Sequence, residues 1–361
     1  MNANILTREK ALWISLICLA VIFPFEKTIA HTMLGNIIGF AAVFVVIIYS
    51  AINVAHHAEK LAQKYGEPYG TLILTIAAVL VEIVIIVIMM TNAHSPTLAR
   101  DTIYSAVMLD INGLLGICAF IGGIKYGEQK YNMDSSNSYI SMLLVAFLVA
   151  MVLPHFIPGK NLIMYENFTV VAFVLLYALF TKIQLKNHKY FFTYNYKKTA
   201  KTSHEHTETK KINGLYHATI LCFSIVIIGL LSELLALFMD NSITSIGLPM
   251  ALGAFVVAII SASPELITAI KSATNNNMQT VINIALGASL ATLLLTVPSV
   301  IVVAEIMNFS IDLALTPLQM TMIGVTLVVS IVHFNDGETN ILEGFLNFIL
   351  FIVFFFLIFV E

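Results

Sequence analysis

Residues 70–90 read GTLILTIAAVLVEIVIIVIMM, an apolar run of 21 residues in which Glu82 is the only charged side chain. A helix that spans the hydrocarbon core of a bilayer needs about 20 such residues. Similar runs recur along the 361-residue chain, which is 59% hydrophobic and 11% charged. Soluble proteins carry roughly 25% charged residues, so the composition excludes a soluble enzyme or a nucleic-acid-binding protein. We expect an all-α polytopic membrane protein.

Eleven apolar runs are candidates for membrane spans. We expect helices because lipid offers no hydrogen-bond partners to an unpaired backbone. A β-barrel would show alternating polar residues within each run, which these runs lack. The predicted spans are approximately residues 11–25, 31–54, 70–91, 102–123, 139–157, 163–181, 215–238, 243–270, 278–306, 316–333 and 340–360.

The positions of lysine and arginine predict the orientation, because cytoplasmic loops carry an excess of both. With the N-terminus in the cytoplasm, fifteen of the 18 lysine and arginine residues lie inside. Only Lys27, Arg100 and Lys160 lie outside. The bias therefore predicts a cytoplasmic N-terminus and an external C-terminus.

The largest polar segment, residues 182–213, divides the chain into unequal parts. We expect a first transmembrane helix in residues 1–30, a five-helix repeat in 31–181, a cytoplasmic lysine-rich loop in 182–213, and a second five-helix repeat in 214–361. Because each repeat has an odd number of spans, the second enters the membrane inverted relative to the first. Inverted repeats are typical of secondary transporters, which bind their substrates at the interface between the repeats.

Two of the carboxylates inside predicted spans stand out, Glu82 and Glu265. Each belongs to the second span of its five-span group, as an inverted repeat predicts. A charged group within a membrane is costly and by default indicates function. No lysine or arginine lies in a span interior to pair with either acid. We therefore predict that both glutamates bind the transported ions and couple them to protons.

Pro264, next to Glu265, has no N–H group, so the carbonyl of Ile260 loses its helical donor and the helix can kink. Unwound carbonyls beside a carboxylate suit a hard cation, although a simple kink is the alternative. Glycines in the following spans suit either a site or close helix packing. The residues expected to line the site are Thr75, Asn112, Ser261, Ser263, Asn283 and Ser289, with Asp110 and Glu233 as candidate access carboxylates.

The motifs resemble those of a known family. The stretches SPELITAI (263–270), IALGAS (284–289) and LTVP (295–298) resemble the second α-repeat of the calcium/cation antiporter superfamily. The first repeat corresponds to GEPYGT (66–71) through Glu82, then ARDT (99–102) and NGLLG (112–116). DGETN (336–340) with LEG (342–344) resembles the segment that opens the last span in the cation/proton exchanger branch, particularly in bacterial ChaA-type calcium/proton antiporters.

The resemblance implies an eleven-span fold in a bacterial inner membrane and the exchange of calcium, in some members sodium or potassium, for protons. It places the central acidic ligands, and hence Ca²⁺, at Glu82 and Glu265. It implies Ca²⁺, protons and the lipid bilayer as partners, with no cofactor and no nucleic acid. Many relatives have Gly-Asn before the repeat acid, where this chain has Leu80-Val81 and Ser263-Pro264.

Other functions stay open at the level of the sequence. A sodium or potassium/proton antiporter could use the same fold, since a monovalent ion needs less negative charge. An ion channel would conduct without protons. An intramembrane metalloenzyme would need zinc at His56, His57 and Glu59, which fall at a span end without further ligands nearby.

Overall fold

A computed structural model describes residues 9–66, 69–93, 95–184, 189–194 and 212–360. Most of the predicted loop 182–213 thus lies outside the described residues. The first six helices follow one another closely along the chain. They are α1 (Lys10–Ala30), α2 (Met33–Tyr65), α3 (Tyr69–Ala93), α4 (Leu98–Tyr126), α5 (Met133–Phe156) and α6 (Gly159–Lys182).

Five more helices complete the part of the chain that the structure describes, namely α7 (Gly214–Ile246), α8 (Ala251–Thr274), α9 (Met278–Met307), α10 (Pro317–His333) and α11 (Ile341–Leu357). Within the described ranges, nine of these helices are long and apolar enough to cross a membrane. Helices α10 and α11 are apolar but shorter, with 17 residues each. The predicted all-α polytopic architecture is confirmed.

Helices α2–α6 and α7–α11 correspond one by one. Both α2 and α7 have 33 residues. The second helix of each group carries an acid near its middle, Glu82 in α3 and Glu265 in α8. The third helix of each group contains a π-helical segment, Leu109–Leu114 in α4 and Thr292–Thr296 in α9. This correspondence is what two inverted five-helix repeats require.

Helix α2 extends well beyond its predicted end at residue 54, because one side of it stays buried after the apolar run finishes. His57, Ala58 and Leu61 are all buried. Helix α7 likewise continues to Ile246, and α8 begins at Ala251 rather than at residue 243. Hydropathy detects the hydrocarbon core, whereas a helix continues as long as one face finds a packing partner.

A two-stranded antiparallel sheet joins the two repeats. Strand β1 (Glu128–Lys130) follows α4, and strand β2 (Glu338–Asn340) precedes α11. Gln129 stands opposite Thr339, and its Nε2 donates to the carbonyl of Ala273 at 3.0 Å. Beside it, Lys125 Nζ donates to the carbonyl of Thr274 at 2.7 Å. The side of the molecule where α2, α4, α6 and α8 end, with Lys64, Lys125, Lys182 and Lys271, is called the lysine-rich face below.

Helices α4 and α11 pack at backbone distance next to this sheet. A Cβ atom added to Gly116 would lie 2.8 Å from the backbone nitrogen of Phe348 and 3.1 Å from the carbonyl oxygen of Gly344. Backbone atoms cannot turn aside as a flexible side chain can. The sequence leaves the glycines of the third spans open between packing and a site; the structure shows Gly116 in packing, whereas Gly287 lies in the wall of a cavity.

We expect Gly116→Ala to destabilise the protein by about 1–3 kcal/mol, because overpacking forces the two backbones apart. The measurement is thermal unfolding of the detergent-solubilised protein. Gly324→Ala in α10 is the control, since a Cβ there would meet nothing within 4 Å. Equal melting temperatures for the two variants would show that the α4–α11 contact is not limiting.

Candidate functional site

A cavity of about 530 Å³ lies between the two repeats. Its wall includes residues of α2, α3, α4, α5, α6, α8 and α9, together with Phe192 and Thr193 from the described piece of the loop. Among the described lining residues there are three acids, Glu82, Asp110 and Glu265, and no lysine or arginine. The cavity therefore carries uncompensated acidic groups.

The cavity opens toward the lysine-rich face. On α3 its wall runs from Leu72 to Glu82 and stops there. The next turns of α3 carry Ile85, Ile86, Met89 and Met90, which are fully buried in the core. Glu82 thus lies at the closed inner end of a path that starts at one face of the protein.

Glu82 accepts hydrogen bonds from two threonines of the opposite repeat. Thr296 Oγ1 donates to Oε2 at 2.8 Å, and Thr292 Oγ1 lies 3.0 Å from Oε2 and 3.2 Å from Oε1. Both threonines belong to the π-helical segment of α9. The carboxylate is buried, with 4% of its surface exposed. Hydroxyl donors stabilise its negative charge without cancelling it.

Glu265 lines the same cavity from α8 and is close enough to Glu82 for their charges to interact. Helix α8 is continuous through Pro264, so the predicted unwinding there is wrong. The hydroxyls of Ser261 and Ser263 bond carbonyls of their own helix, Ala258 at 3.1 Å and Ile259 at 2.5 Å. Side-chain donors and the packing of α8 maintain the helix although proline removes one backbone donor.

Asp110 is a third acid in the cavity rather than a group on a separate path. Its Oδ2 accepts a hydrogen bond from Ser289 Oγ at 3.1 Å, while the buried Oδ1 has no partner within the described structure. It lies close enough to Glu265 and Glu82 for electrostatic interaction. Its position in the π-helical segment of α4 matches that of the threonines in α9. The two π-helical segments therefore face the site from opposite repeats.

The remaining predicted lining residues divide into two groups. Thr75, Ser261 and Asn283 lie in the cavity wall. Ser263, Asn112 and Ser289 are not among the lining residues. Ser289 reaches the site only through its hydrogen bond to Asp110, and Asn112 Nδ2 instead donates to Thr326 Oγ1 of α10 at 2.9 Å.

Glu233, a predicted access carboxylate, lies on an exposed stripe of α7 beside Val226 and Leu230. It is not a lining residue of the cavity. The structure therefore separates Glu233 from the cavity that holds the other acids.

Two threonines of the site were not predicted. Thr292 and Thr296 are four residues apart in the third span of the second repeat, which was a visible signal. The π-helical turn that aims both at Glu82 leaves no mark in the sequence.

The loop segment at the mouth of the cavity was also unexpected. The ring of Phe192 packs against Tyr139 and Phe180, with ring centroids 5.4 and 5.8 Å apart. Asn283 Nδ2 donates to the carbonyl of Phe192 at 2.9 Å. This residue of α9 therefore ties the loop to the mouth.

Across the described ranges, no group of three or more His, Cys, Asp or Glu side chains is arranged to hold a metal ion. The proposed zinc site at His56, His57 and Glu59 thus finds no support there. The three acids of the cavity do not by themselves form a complete set of ligands for a cation. A cation bound among them would also need oxygen from hydroxyls, carbonyls or water.

Comparisons with known proteins agree with this geometry. The model of the sodium/calcium exchanger protein family matches residues 35–186 and 216–360. The sodium-potassium/proton antiporter ChaA of Escherichia coli (strain K12) is 32% identical over 301 residues, which cover 82% of each chain. The Ca²⁺/H⁺ antiporter ChaA of Bacillus subtilis (strain 168) is 24% identical over 310 residues, covering 84% of this chain and 87% of that one.

Among solved structures, native YfkE superposes with a TM-score of 0.75 at 20% identity, covering 96% of this chain and 100% of that chain. This likeness shows the fold. Both repeats fall within the family match, and one relative exceeds 30% identity over most of the chain. The chain belongs to the sodium/calcium exchanger family and is a cation/proton antiporter.

Proposed function

We propose that the protein exchanges cytoplasmic Ca²⁺ for external protons, with cation and protons competing for Glu82 and Glu265. One observation carries the proposal: two glutamates from corresponding helices of the repeats line one cavity, and no lysine or arginine is among its described lining residues. Names of relatives include Ca²⁺/H⁺ antiporters, which supports calcium as the cation.

The charges explain why one site can serve both ions. Calcium prefers six to eight oxygen ligands, usually with carboxylates among them, and two ionised glutamates balance its double charge. After calcium leaves, two neighbouring carboxylates on the wall of one cavity cannot both stay ionised without a cost, because their like charges repel. Protons then bind in place of the cation. Two glutamates suggest two protons per calcium, although protons bound by an interacting pair are shared.

Asp110 extends this site. Asp110 lines the same cavity, and its buried Oδ1 has no hydrogen-bond partner among the described residues, so this oxygen is a candidate ligand that leaves the bond between Oδ2 and Ser289 intact. With Asp110 the site has three acidic groups, so the bound cation need not neutralise Glu82 and Glu265 alone. We assign Asp110 to the ion site rather than to an access path.

The position of the cavity supports a mechanism of alternating access. Glu82 is reached from the lysine-rich face, and the fully buried Ile85, Ile86, Met89 and Met90 close the other direction. Because cytoplasmic loops carry the excess of lysine and arginine, this open side is the cytoplasmic side. The membrane is then a bacterial inner membrane, and the C-terminus lies outside. A second conformation must then open the site to the exterior.

Exchange of Na⁺ or K⁺ for protons is the second candidate, because a relative 32% identical to this chain carries the name sodium-potassium/proton antiporter. Proton movement in everted vesicles, measured with Ca²⁺, Na⁺ and K⁺ in turn, distinguishes the two. Calcium exchange predicts the largest response to Ca²⁺ at micromolar concentrations. A response to the monovalent ions alone would assign the second function.

Glu265→Gln should abolish cation-dependent proton movement in reconstituted vesicles, because the amide cannot take up and release a proton. The variant should keep the wild-type elution profile and melting temperature. Glu305→Gln, at an exposed position of α9, is the matched control and should retain full exchange. Normal exchange by Glu265→Gln would refute the assignment of this residue.

Thr296→Val should raise the apparent KM for the cation about tenfold. A hydrogen bond to a charged group contributes about 1.5–3 kcal/mol, and its loss leaves the ionised form of Glu82 less stabilised, so the cation meets a poorer ligand. Thr296→Ser keeps the hydroxyl and should restore the wild-type KM. If Val and Ser variants behave alike, the 2.8 Å bond does not contribute to ion binding.

A further inference from the structure

A second cluster of titratable side chains lies at the lysine-rich face, where the start of α1, the last turns of α2 and the start of α7 meet. It consists of Glu9, His57, Tyr216 and His217 and is called the junction cluster. Glu9 and His57 are each 2% exposed and His217 is 5% exposed. None of the four lines the transport cavity.

The cluster is a chain of hydrogen bonds centred on His57. Its Nε2 lies 3.0 Å from Glu9 Oε2, and its Nδ1 lies 2.9 Å from Nδ1 of His217. The hydroxyl of Tyr216 donates to the other oxygen of Glu9. Since His57 uses its two ring nitrogens toward two different partners, the cluster does not converge on a single metal position.

The contact between the two histidines limits how many protons the cluster can hold. A short contact between two nitrogens needs one proton between them, donated by one ring and accepted by the other. It survives when both rings are neutral and when one of them is an imidazolium. When both rings are imidazolium, two N–H groups point at each other and two positive charges meet, so the contact must break.

Other charged groups lie near the cluster and affect its protonation through their charge. The ring of His56 is 5.8 Å from that of His57, and His56 itself is exposed. Lys64 lies against Gly214 at the start of α7. Lys10, Glu59 and Lys60 are the other charged residues nearby in the described sequence, and the first two are exposed. The lysines add positive potential, which disfavours a second imidazolium until the solution is acidic.

The cluster joins the helices that border the ion site. Helix α2 places Val54 and Ala55 in the cavity wall less than one turn before His57. Helix α7 packs on α3, the helix of Glu82, and a Cβ on Gly229 would lie 3.1 Å from Val84. A separation of α2 from α7 at the lysine-rich face would therefore alter the wall of the open cavity.

We propose that the junction cluster is a second proton-binding site, separate from the transport site, whose double protonation loosens the α2–α7 junction and slows exchange. The site acts on the face toward which the cavity opens. An exchanger that carries protons to that side would thus be slowed as that side acidifies. The number of protons that the junction cluster can bind depends on the cluster alone. The proposal therefore applies whichever cation is exchanged.

The only tryptophan of the chain provides a probe that needs no transport. Trp13 lies one turn after Glu9, and its backbone nitrogen donates to the carbonyl of Glu9 at 3.2 Å. We expect its fluorescence in purified, nanodisc-embedded protein to change reversibly between pH 7.5 and 5.5, the range in which histidines titrate. His217→Asn, whose amide replaces Nδ1 but does not titrate, should abolish the change. His57→Gln, which keeps a donor toward Glu9, should do the same.

Two control variants show whether the fluorescence change comes from the junction cluster. His56→Gln removes the exposed neighbouring histidine and should keep the transition. Glu265→Gln should also keep it, so that failure of the cluster and failure of the transport assignment are distinguishable. Exchange is then measured in everted vesicles at saturating cation, with the bath at pH 7.5 and at pH 5.5. The factor by which the exchange rate falls between these two pH values should be at least twofold smaller for His217→Asn than for the wild type. A transition that persists in both His217→Asn and His57→Gln, or vanishes in His56→Gln, would overturn the proposal.

Discussion

The interface between the two repeats depends on one requirement: a carboxylate halfway across the membrane has to be stabilised. Glu82 comes from the first repeat, and its hydrogen-bond donors, Thr292 and Thr296, come from the second. Asp110 is likewise matched by Ser289 across the same interface. Hydroxyls lower the cost of the buried charge but leave it uncancelled, since a full positive partner would remove the attraction for an incoming cation. The π-helical segments supply this intermediate level of stabilisation.

The sequence predicts the features that depend on hydrophobicity and charge. An acid inside an apolar run is visible without any structure, so Glu82 and Glu265 could be identified, and the eleven runs correspond to the eleven apolar helices of the described structure. The contact of Asn112 with Thr326 could not be predicted, because it joins residues 214 positions apart. The orientation of Thr292 and Thr296 toward Glu82 could not be predicted either, because a π-helical turn shifts every following side chain around the helix relative to α-helical spacing.

Helix ends were the least predictable part of the fold, and they matter most at the lysine-rich face. The extension of α2 past residue 54 carries His57 out of the apolar run and into contact with His217 of α7, 160 positions later. Hydropathy describes such a segment as a loop, since half of its surface is polar. Its buried half is what allows an ionisable cluster to form where the helices leave the membrane.

The small sheet of β1 and β2 has a consequence for how the chain can be assembled. Each of its strands comes from a different half, so either half made alone would leave a strand edge without its partner. Strand β2 follows α10, so Gln129 can pair with Thr339 only after most of the second repeat has been made. The sheet therefore forms late in the synthesis of these two repeats, and two separately expressed halves would have to associate to complete it.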